Sequence, residues 1–434
     1  MINIFTLIEK KKHKQELTKQ EIDYFVDNYV KTNTIHDYQA SALLMAICLN
    51  GLSRKETFFL TDAYVRSGKT YDYKKYLSPV IDKHSLGGVG DKVSLIFAPI
   101  ICALGIGVAK ISGKGLGWTG GTIDKCNSVG INCNISEQQA ISSLKKNKMF
   151  ITTQTADLVP ADKKIYDLRN ATSCVDSDGL VAASVVSKKI ALKSDYVYLD
   201  VKVGDGGLIG KYEKALNLSK LMLDIFKSAN RKAAVHITDM TQPLGRSIGN
   251  ALEVKASLEC LLGKWEDART KKLIYEFVSD VLLDFKMCKD KKSAYKKIDE
   301  VINNKKAYNQ FIDWAATNGA NKQKLTSNFF KPKYTALIKA KKTGYVFYKS
   351  ARAFGLTSLE IGVGKKTITS NVDFMAGIYL NKISSEKANK GDTIMTVYSS
   401  NPISQAVIKS LEDNIEYLAK PKTLPPIIYK VLHN

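Results

Sequence analysis

The sequence has few of the residues that form structural metal sites and disulfide frameworks. Its 434 residues include 7 cysteines and 5 histidines, and no two cysteines form a Cys-x-x-Cys pair. Structural zinc sites and small disulfide-rich domains are typically recognised by cysteines at such fixed spacings. The sequence therefore predicts neither a zinc site nor a disulfide framework. Because several cysteines lie in apolar segments, we expect them to be buried thiols.

The sequence also lacks a long hydrophobic run. Its longest apolar segment, 95–109, contains Pro99 and two glycines, and it is shorter than the roughly 20 apolar residues that a transmembrane helix requires. The first residues lead into a charged helical pattern without a signal-peptide cleavage site. We therefore expect a cytoplasmic protein with no membrane partner.

Negative charge is scarce relative to positive charge. The chain has 65 lysines and arginines against 42 acidic residues, which gives a net charge of +23. Such an excess can indicate a nucleic-acid partner. The lysines are spread along the whole chain, however, and the densest runs, 10–12 and 331–342, lack the interleaved aromatic residues of a single-strand-binding face. We therefore expect no nucleic-acid partner, and a basic field that attracts anionic substrates.

The order of the hydrophobic patterns predicts the fold class. Residues 1–67 read as helices, and two of these begin with the capping boxes Thr18-x-x-Glu21 and Ser53-x-x-Glu56. Strands then alternate with helices to about residue 262, which is typical of a mostly parallel sheet covered on both faces. After residue 343 the pattern changes to short strands and turns. We predict an α/β protein with a small all-helical domain, a large α/β domain and a strand-rich C-terminal subdomain.

Two glycine-rich stretches follow predicted strands. They are Lys-His-Ser-Leu-Gly-Gly-Val-Gly-Asp at 83–91 and Ser-Gly-Lys-Gly-Leu-Gly-Trp-Thr-Gly-Gly-Thr-Ile-Asp at 112–124. Glycine lets backbone amides approach a ligand closely, and amides at the start of a helix favour an anion. One lysine and several hydroxyls accompany the two loops: Lys83, Ser85, Ser94, Ser112 and Thr122. A single glycine pair usually marks an ordinary turn, whereas two such loops joined by one helix-strand unit predict an anion-binding site.

A second polar cluster lies between residues 162 and 190. It contains Tyr166, Arg169, Ser184 and Lys188. Ser184 and Lys188 are four residues apart, so a helix places them on one face. The spacing alone fits a solvated helix face equally well.

Together, these stretches resemble the thymidine and pyrimidine-nucleoside phosphorylase family. The resemblance extends over essentially the whole chain. Besides the two glycine-rich loops, it rests on Leu-Val-Pro-Ala-Asp-Lys-Lys at 158–164, Leu-Asp-Val-Lys-Val-Gly at 199–204 and Gln-Pro-Leu-Gly-x-x-Ile-Gly-Asn-Ala-Leu-Glu-Val at 242–254.

The resemblance implies a domain organisation and an assembly. A discontinuous helical domain, 1–67 and 160–192, would hold the base. It would face a phosphate-binding α/β domain, 68–159 and 193–330, across a cleft that closes on the substrates. A C-terminal domain, 340–434, would follow, and two copies would form a homodimer.

The resemblance also implies a reaction and residue roles. Inorganic phosphate would displace the base of thymidine, deoxyuridine or uridine reversibly, giving a free pyrimidine and (deoxy)ribose 1-phosphate. The family's motifs place phosphate at Lys83, Ser85, Ser94, Lys110, Ser112 and Thr122, and the pyrimidine at Tyr166, Arg169, Ser184 and Lys188. His84, Arg169 and Lys188 would be catalytic, with His84 as general acid and the two cations stabilising the departing base. No metal or organic cofactor is expected.

Two features of the motifs bear on specificity and on metal binding. Lys110 is similar to the lysine of the broad-specificity members of the family, so we expect uridine to be accepted alongside thymidine. Some members bind a monovalent cation through Thr and Glu ligands, where this chain has Lys92 and Ala256. We expect the Lys92 ammonium to take the place of that ion.

The chain also departs from the family's pattern at several positions, and alternative functions therefore have to be considered. The departures are Lys114, Trp118, Asn127, Asn170, Asp178 and Gly179. The pair at 178–179 would make a turn near the base polar and flexible. A strict thymidine phosphorylase, a phosphoribosyltransferase-like enzyme and a catalytically impaired binding homologue remain as alternatives. A phosphoribosyltransferase would normally need acidic magnesium ligands.

Overall fold

The computed structural model of the chain describes residues 2–115, 118, 120–365 and 370–434. Leu116, Gly117 and Thr119 of the second glycine-rich loop lie outside the described residues. In chain order the helices are α1 Ile4–Lys12, α2 Lys19–Val30, α3 Asp37–Asn50, α4 Arg54–Arg66, α5 Val93–Ala103, α6 Thr122–Ser128, α7 Glu137–Asn147, α8 Pro160–Ala171, α9 Asp178–Ala191, α10 Tyr212–Ser228, α11 Asn250–Leu261, α12 Ala268–Asp284, α13 Lys291–Asn303, α14 Lys306–Thr317, α15 Lys322–Thr326, α16 Ala351–Glu360 and α17 Gln405–Asp413. The strands are β1 Val80–Ser85, β2 Gly107–Ile111, β3 Met149–Thr152, β4 Tyr196–Val203, β5 Lys232–Asp239, β6 Ser247–Ile248, β7 Tyr334–Lys339, β8 Gly344–Tyr348, β9 Gly377–Leu380, β10 Lys387–Ala388, β11 Thr393–Ser399, β12 Ile415–Leu418 and β13 Ile428–His433.

The helical part is discontinuous in sequence. Both predicted capping boxes are present, at the starts of α2 and α4. The buried Glu56 carboxylate of the second box also accepts from the Lys11 ammonium at 3.0 Å, which joins α1 to α4. Helices α8 and α9, which follow much later in the chain, pack onto this bundle through apolar side chains such as Ile165 and Leu180. The predicted all-helical unit is therefore confirmed.

The central sheet has six strands in the order β13-β5-β4-β1-β2-β3, and all neighbours except β13 and β5 are parallel. Its two faces are covered, as the alternation of strands and helices along the chain predicts. Alternation along β4 sends Tyr196 and Tyr198 to the core with α5 and α12, and Val197 and Leu199 to the core with α9 and α10. The predicted fold class of a mostly parallel α/β domain with a strand-rich C-terminal part is confirmed.

The C-terminal part crosses the predicted boundaries at both ends. Most of its strands form two small antiparallel sheets, β10-β8-β12 and β6-β9-β11-β7. Strand β6, from the α/β part, is an edge of the second sheet, whereas the last strand, β13, leaves the C-terminal domain and pairs with β5. The predicted domain 340–434 therefore has to be corrected at its end, because β13 satisfies the free hydrogen-bonding edge of the large sheet.

The topology brings the two glycine-rich loops to one end of the sheet. Strand β1 lies between β4 and β2, and each of these parallel strands ends at the same edge. Ser85, at the end of β1, is in register with Asp200 of β4. In open parallel sheets this edge is where ligands bind. Within the described residues, no helix is long and apolar enough to cross a membrane.

Candidate functional site

The first glycine-rich loop connects β1 to α5. Gly90 has φ +76°, and a Cβ atom there would lie 2.6 Å from the Leu244 carbonyl oxygen, so only glycine fits this turn. Ser85 is half-buried, and its hydroxyl donates to the Asp91 carboxylate at 2.5 Å. Ser94 lies in the first turn of α5 and is buried. The loop therefore places backbone amides and two predicted serines at the start of one helix.

Asp200 joins two lysines beneath this loop. Its carboxylate lies 3.4 Å from the Lys83 ammonium and 2.9 Å from the Lys202 ammonium, and it accepts from the Thr238 hydroxyl at 2.6 Å. Lys83, Lys202 and Asp200 are each no more than 1% exposed. A buried charge needs such partners to remain ionised. Asp200 therefore holds the Lys83 ammonium at the end of the sheet.

The second glycine-rich loop connects β2 to α6. Ser112 follows the end of β2, and Thr122 is the first residue of α6. A Cβ atom at Gly121 would lie 2.1 Å from the Gly115 nitrogen, so the two arms of the loop touch here. The Asp124 carboxylate accepts from the Gly115 amide at 2.6 Å. The loop is therefore closed on itself at a helix start, next to the first loop on the neighbouring strand.

Lys110 is buried rather than open to the cleft. It is 1% exposed, and its amino group donates to the Lys83 carbonyl oxygen at 2.5 Å. Burial, together with the positive charges of Lys189 and Lys83, lowers the pKa of Lys110 to about 7, although Asp82 opposes this shift. No carboxylate forms an ion pair with Lys110 in the described part of the chain. The structure thus places the Lys110 amino group against the backbone of β1, just before the first glycine-rich loop.

Replacing Lys110 with methionine is expected to stabilise the protein at pH 7, on the order of 1 kcal/mol after the lost hydrogen bond is counted. The unfolded chain protonates lysine up to about pH 10.4, and the folded chain only to about pH 7. Between these values the unfolded state binds more protons, so wild-type stability rises with pH. Urea unfolding of both proteins across this range should show the advantage of the variant shrink and then reverse as the pH approaches 10, because such a lowered pKa corresponds to roughly 4–5 kcal/mol. A constant difference would contradict the lowered pKa.

Arg169 is buried without a carboxylate partner in the described residues. All three of its guanidinium nitrogens donate to backbone carbonyl oxygens, at 3.0 Å to Cys174, 2.9 Å to Val175 and 3.2 Å to Leu180. These bonds hold the segment between α8 and α9. Two of the five N–H groups remain available, and the Tyr166 ring lies 5.9 Å from the guanidinium carbon. Arg169 therefore presents an uncompensated positive charge.

Ser184 and Lys188 lie on one face of α9, as the spacing predicts. The Lys188 ammonium donates to the Ser184 hydroxyl at 3.1 Å and to the buried Asp162 carboxylate of α8. The Lys188 side chain is 17% exposed, so one of its three N–H groups is left for a ligand. Because Ser184 accepts from Lys188, its own hydrogen is free to donate. The other oxygen of Asp162 and the Tyr64 hydroxyl are buried, and neither has a hydrogen-bond partner among the described residues.

His84 lies where the two predicted groups meet. Its pKa falls well below the usual value because of burial and the positive charges of Lys189, Lys110, Lys188 and Lys83. These lysines belong to both the phosphate side and the base side. Its Nδ1 atom is buried and has no hydrogen-bond partner in the part of the chain that the structure describes. The imidazole is therefore neutral at neutral pH and has a free nitrogen.

Several buried ion pairs of this region were not predicted from the sequence. Lys189 pairs with Asp82 of β1 at 2.8 Å, and both are buried. Lys125 of α6 pairs with Glu253 at 2.9 Å and donates to the Asp91 carbonyl at 2.6 Å. Such pairs can be predicted where an acidic and a basic residue alternate in an otherwise apolar strand, as in Asp-Val-Lys at 200–202, because buried charges need partners.

The departures from the family pattern fall into different surroundings. Asp178 and Gly179 begin α9, so the predicted polar, flexible turn is wrong. Asp178 suits the positive end of the helix, and a Cβ atom at Gly179 would lie 2.9 Å from the Leu52 Cβ. Trp118 packs against Gly355 and lies beneath the Arg352 guanidinium. Nothing in the structure explains Lys114, Asn127 or Asn170.

Lys92 occupies a small polar site behind the first loop. Its ammonium is fully buried, lies 3.0 Å from the Glu266 carboxylate and donates to the Leu244 carbonyl at 2.7 Å. Burial opposes the charge, but Glu266 and Glu253 raise the pKa of Lys92. No group of three or more metal-ligating side chains is found among the described residues.

Comparisons with known proteins agree with the fold. Residues 77–308 match the α/β domain of the glycosyl transferase family, residues 5–68 match its helical bundle domain, and residues 345–418 match the pyrimidine nucleoside phosphorylase C-terminal domain. In fold, the chain is similar to the anthranilate phosphoribosyltransferase of Thermus thermophilus, with a TM-score of 0.57 over 72% of this chain and 98% of that chain at 13% identity.

Curated relatives match over nearly the full length. The thymidine phosphorylase of Mycoplasmoides pirum is 44% identical over 94% of this chain and 98% of that protein. The thymidine phosphorylase of Mycoplasma genitalium is 40% identical over 95% and 99%. The pyrimidine-nucleoside phosphorylase of Geobacillus stearothermophilus is 38% identical over 98% of both chains.

Proposed function

The chain belongs to the glycosyl transferase family of the thymidine and pyrimidine-nucleoside phosphorylases, and we propose that it is a pyrimidine-nucleoside phosphorylase, a pentosyltransferase. Its substrates are thymidine, deoxyuridine or uridine together with inorganic phosphate. Its products are the free pyrimidine and (deoxy)ribose 1-phosphate. The observation that carries this proposal is the group of lysines, Lys83, Lys188 and Lys189 among them, whose positive charges act on the neutral His84. Phosphate brings negative charge to such a place, and the pyrimidine acquires negative charge there as its bond to the sugar breaks.

The proposed mechanism separates the two negative charges. A phosphate oxygen held by Lys83 and the two loops forms a bond to the anomeric carbon of the sugar. The bond from that carbon to the pyrimidine nitrogen breaks, and its electron pair stays on the base. Arg169 and Lys188 stabilise this charge at the carbonyl oxygens. Charge-assisted hydrogen bonds contribute about 1.5–3 kcal/mol each, and they lower the barrier because the charge develops only in the transition state.

The role of His84 follows from its environment. A neutral imidazole donates a hydrogen bond to a base carbonyl from one nitrogen, without transferring a proton. Bound phosphate offsets the lysine charges that lower the pKa of His84, so the phosphate complex favours the protonated form. His84 is thus a hydrogen-bond donor in the free enzyme and gains the capacity of a general acid when phosphate is present.

The experiment that tests the proposed function is release of free base from thymidine and from uridine, with and without phosphate. Phosphate-dependent release from both substrates supports the broad specificity assigned to Lys110. Release from thymidine alone supports a strict thymidine phosphorylase, the activity named for the relative that is 44% identical. The absence of release from either substrate by folded protein would refute the enzymatic proposal.

We propose that two copies assemble through the outer surfaces of α1 and α3. These helices pack against each other. Large apolar side chains that are exposed in the single chain lie on them or, for Ile2, just before α1: Ile2, Phe5, Tyr38, Met45 and Leu49. A patch of this kind typically marks an interaction surface. Analytical ultracentrifugation of the protein and of the variant Leu49→Lys, which places a charge in this patch, tests the proposed homodimer.

We also propose a cytoplasmic location.

No cofactor is required in the proposed reaction, and Lys92 is proposed to replace a monovalent cation. Exchange of sodium for potassium is therefore expected to leave phosphorolysis unchanged. The variant Lys92→Thr frees the Glu266 carboxylate and the Leu244 carbonyl, and its activity is expected to rise with potassium. Activity of the unaltered protein that rose sharply with potassium would contradict the role of Lys92.

A further inference from the structure

The hydroxyl of Ser85 is already committed as a donor before any ligand binds. It lies 2.5 Å from one carboxylate oxygen of Asp91, whose other oxygen accepts from the Val93 amide at 3.2 Å. Burial alone would raise the pKa of Asp91, but the charges of Lys202, Lys83 and Lys125 lower it. An ionised carboxylate only accepts hydrogen bonds. The proton between Ser85 and Asp91 must therefore come from Ser85.

This commitment determines what Ser85 offers to a ligand. A serine hydroxyl has one hydrogen and two lone pairs. The hydrogen points to Asp91, and one lone pair accepts from the Gly87 amide at 3.3 Å. The remaining lone pair of this half-buried side chain faces outward as an acceptor. Ser85 thus differs from Ser112, whose hydroxyl contacts no carboxylate in the described part of the chain.

We propose that the Asp91–Ser85 pair selects an oxyanion that carries a proton, and so discriminates hydrogen phosphate from sulfate. This inference rests on the proposed phosphate site. Hydrogen phosphate and sulfate have the same charge and a similar shape, but only hydrogen phosphate has an O–H group that can donate to Ser85. With sulfate, the Ser85 lone pair would face another lone pair. An acceptor left without a donor in a partly buried site reduces affinity by about 10- to 100-fold.

Binding of inorganic anions to the full chain tests this selection without any chemistry. Isothermal titration calorimetry at mildly alkaline pH gives dissociation constants for phosphate, arsenate and sulfate. Hydrogen arsenate also carries an O–H group, so it should bind nearly as tightly as phosphate, and sulfate should bind about 10-fold more weakly or worse. Sulfate affinity equal to that of phosphate in the unaltered protein would overturn the inference.

Two variants identify the source of the discrimination, and a third serves as a matched control. Ser85→Ala removes the acceptor, so phosphate binding weakens while sulfate binding does not. The ratio of the sulfate dissociation constant to the phosphate dissociation constant therefore falls toward one. Asp91→Asn frees the Ser85 hydrogen to turn toward the ligand, so sulfate binding improves. Ser112→Ala removes a hydroxyl that does not donate to a carboxylate. The binding of both anions therefore weakens, and the ratio of their dissociation constants does not change.

The outcomes separate this inference from the function on which it rests. Phosphate-dependent base release with no preference for phosphate over sulfate refutes only the inference. A preference that persists in Ser85→Ala also refutes it, because the discrimination would then arise elsewhere. If no anion binds at all, the proposed phosphate site fails and the inference fails with it.

Discussion

Replacement of Arg169 with lysine is expected to lower kcat/KM for the nucleoside by about 10²- to 10³-fold. In the structure the guanidinium binds three backbone carbonyls and still has two free N–H groups. A lysine ammonium is a point donor that cannot reproduce this planar fork. The variant therefore loses the charge-assisted contact to the departing base. It also leaves buried carbonyls of Cys174, Val175 and Leu180 without donors, at about 1–3 kcal/mol for each group.

Steady-state kinetics distinguish this effect from a general loss of structure. The loss should appear in kcat and in KM for thymidine, while KM for phosphate changes little, because Arg169 is proposed to contact the base. Arg66→Lys is the matched control, since Arg66 forms exposed ion pairs with Asp23 and Asp62, which contribute little. If Arg169→Lys behaved like this control, Arg169 would only anchor the loop and would not contact the reacting base.

Local sequence patterns predicted the parts of the fold that are determined locally. The capping boxes that begin α2 and α4, and the strands that alternate with helices, such as β4, appear as expected. Each depends on neighbours within a few residues. The return of β13 to the edge of the large sheet could not be read in this way, because its partner β5 lies almost two hundred residues earlier. Pairing over such a distance depends on tertiary context rather than on the strand's own sequence.

The candidate site divides in a similar way. The glycine-rich loops and the Ser184–Lys188 face were evident from composition and spacing. The carboxylates that hold their lysines were not, because Asp162 and Asp200 reach those lysines only through the folded chain. The direction of the Ser85 hydroxyl depends on a neighbour in space, Asp91, that no spacing rule connects to it. Sequence thus identified candidate ligand-binding residues, and the structure gave their partners and their hydrogen-bonding state.

Replacement of Asp200 with asparagine is expected to remove about 3–5 kcal/mol from the free energy of unfolding. The substitution keeps the size and removes the charge that Lys83 and Lys202 share. Asp91 lies near both lysines, but in the described residues it forms an ion pair with neither. The buried ammonium groups of Lys83 and Lys202 therefore both lose their ion-pair partner.

Asp200→Asn should therefore weaken the binding of phosphate more than that of the nucleoside. A buried lysine without a counter-ion loses its proton, so KM for phosphate is expected to rise by about 10-fold or more at neutral pH. Activity should partly return as the pH is lowered, because protonation restores the Lys83 charge. A purely structural role would lower kcat without this pH-dependent recovery. Asp62→Asn, which removes an exposed partner of Arg66, should leave both stability and KM unchanged. An Asp200→Asn protein as stable as that control, with an unchanged KM for phosphate, would contradict the role of Asp200 in holding Lys83.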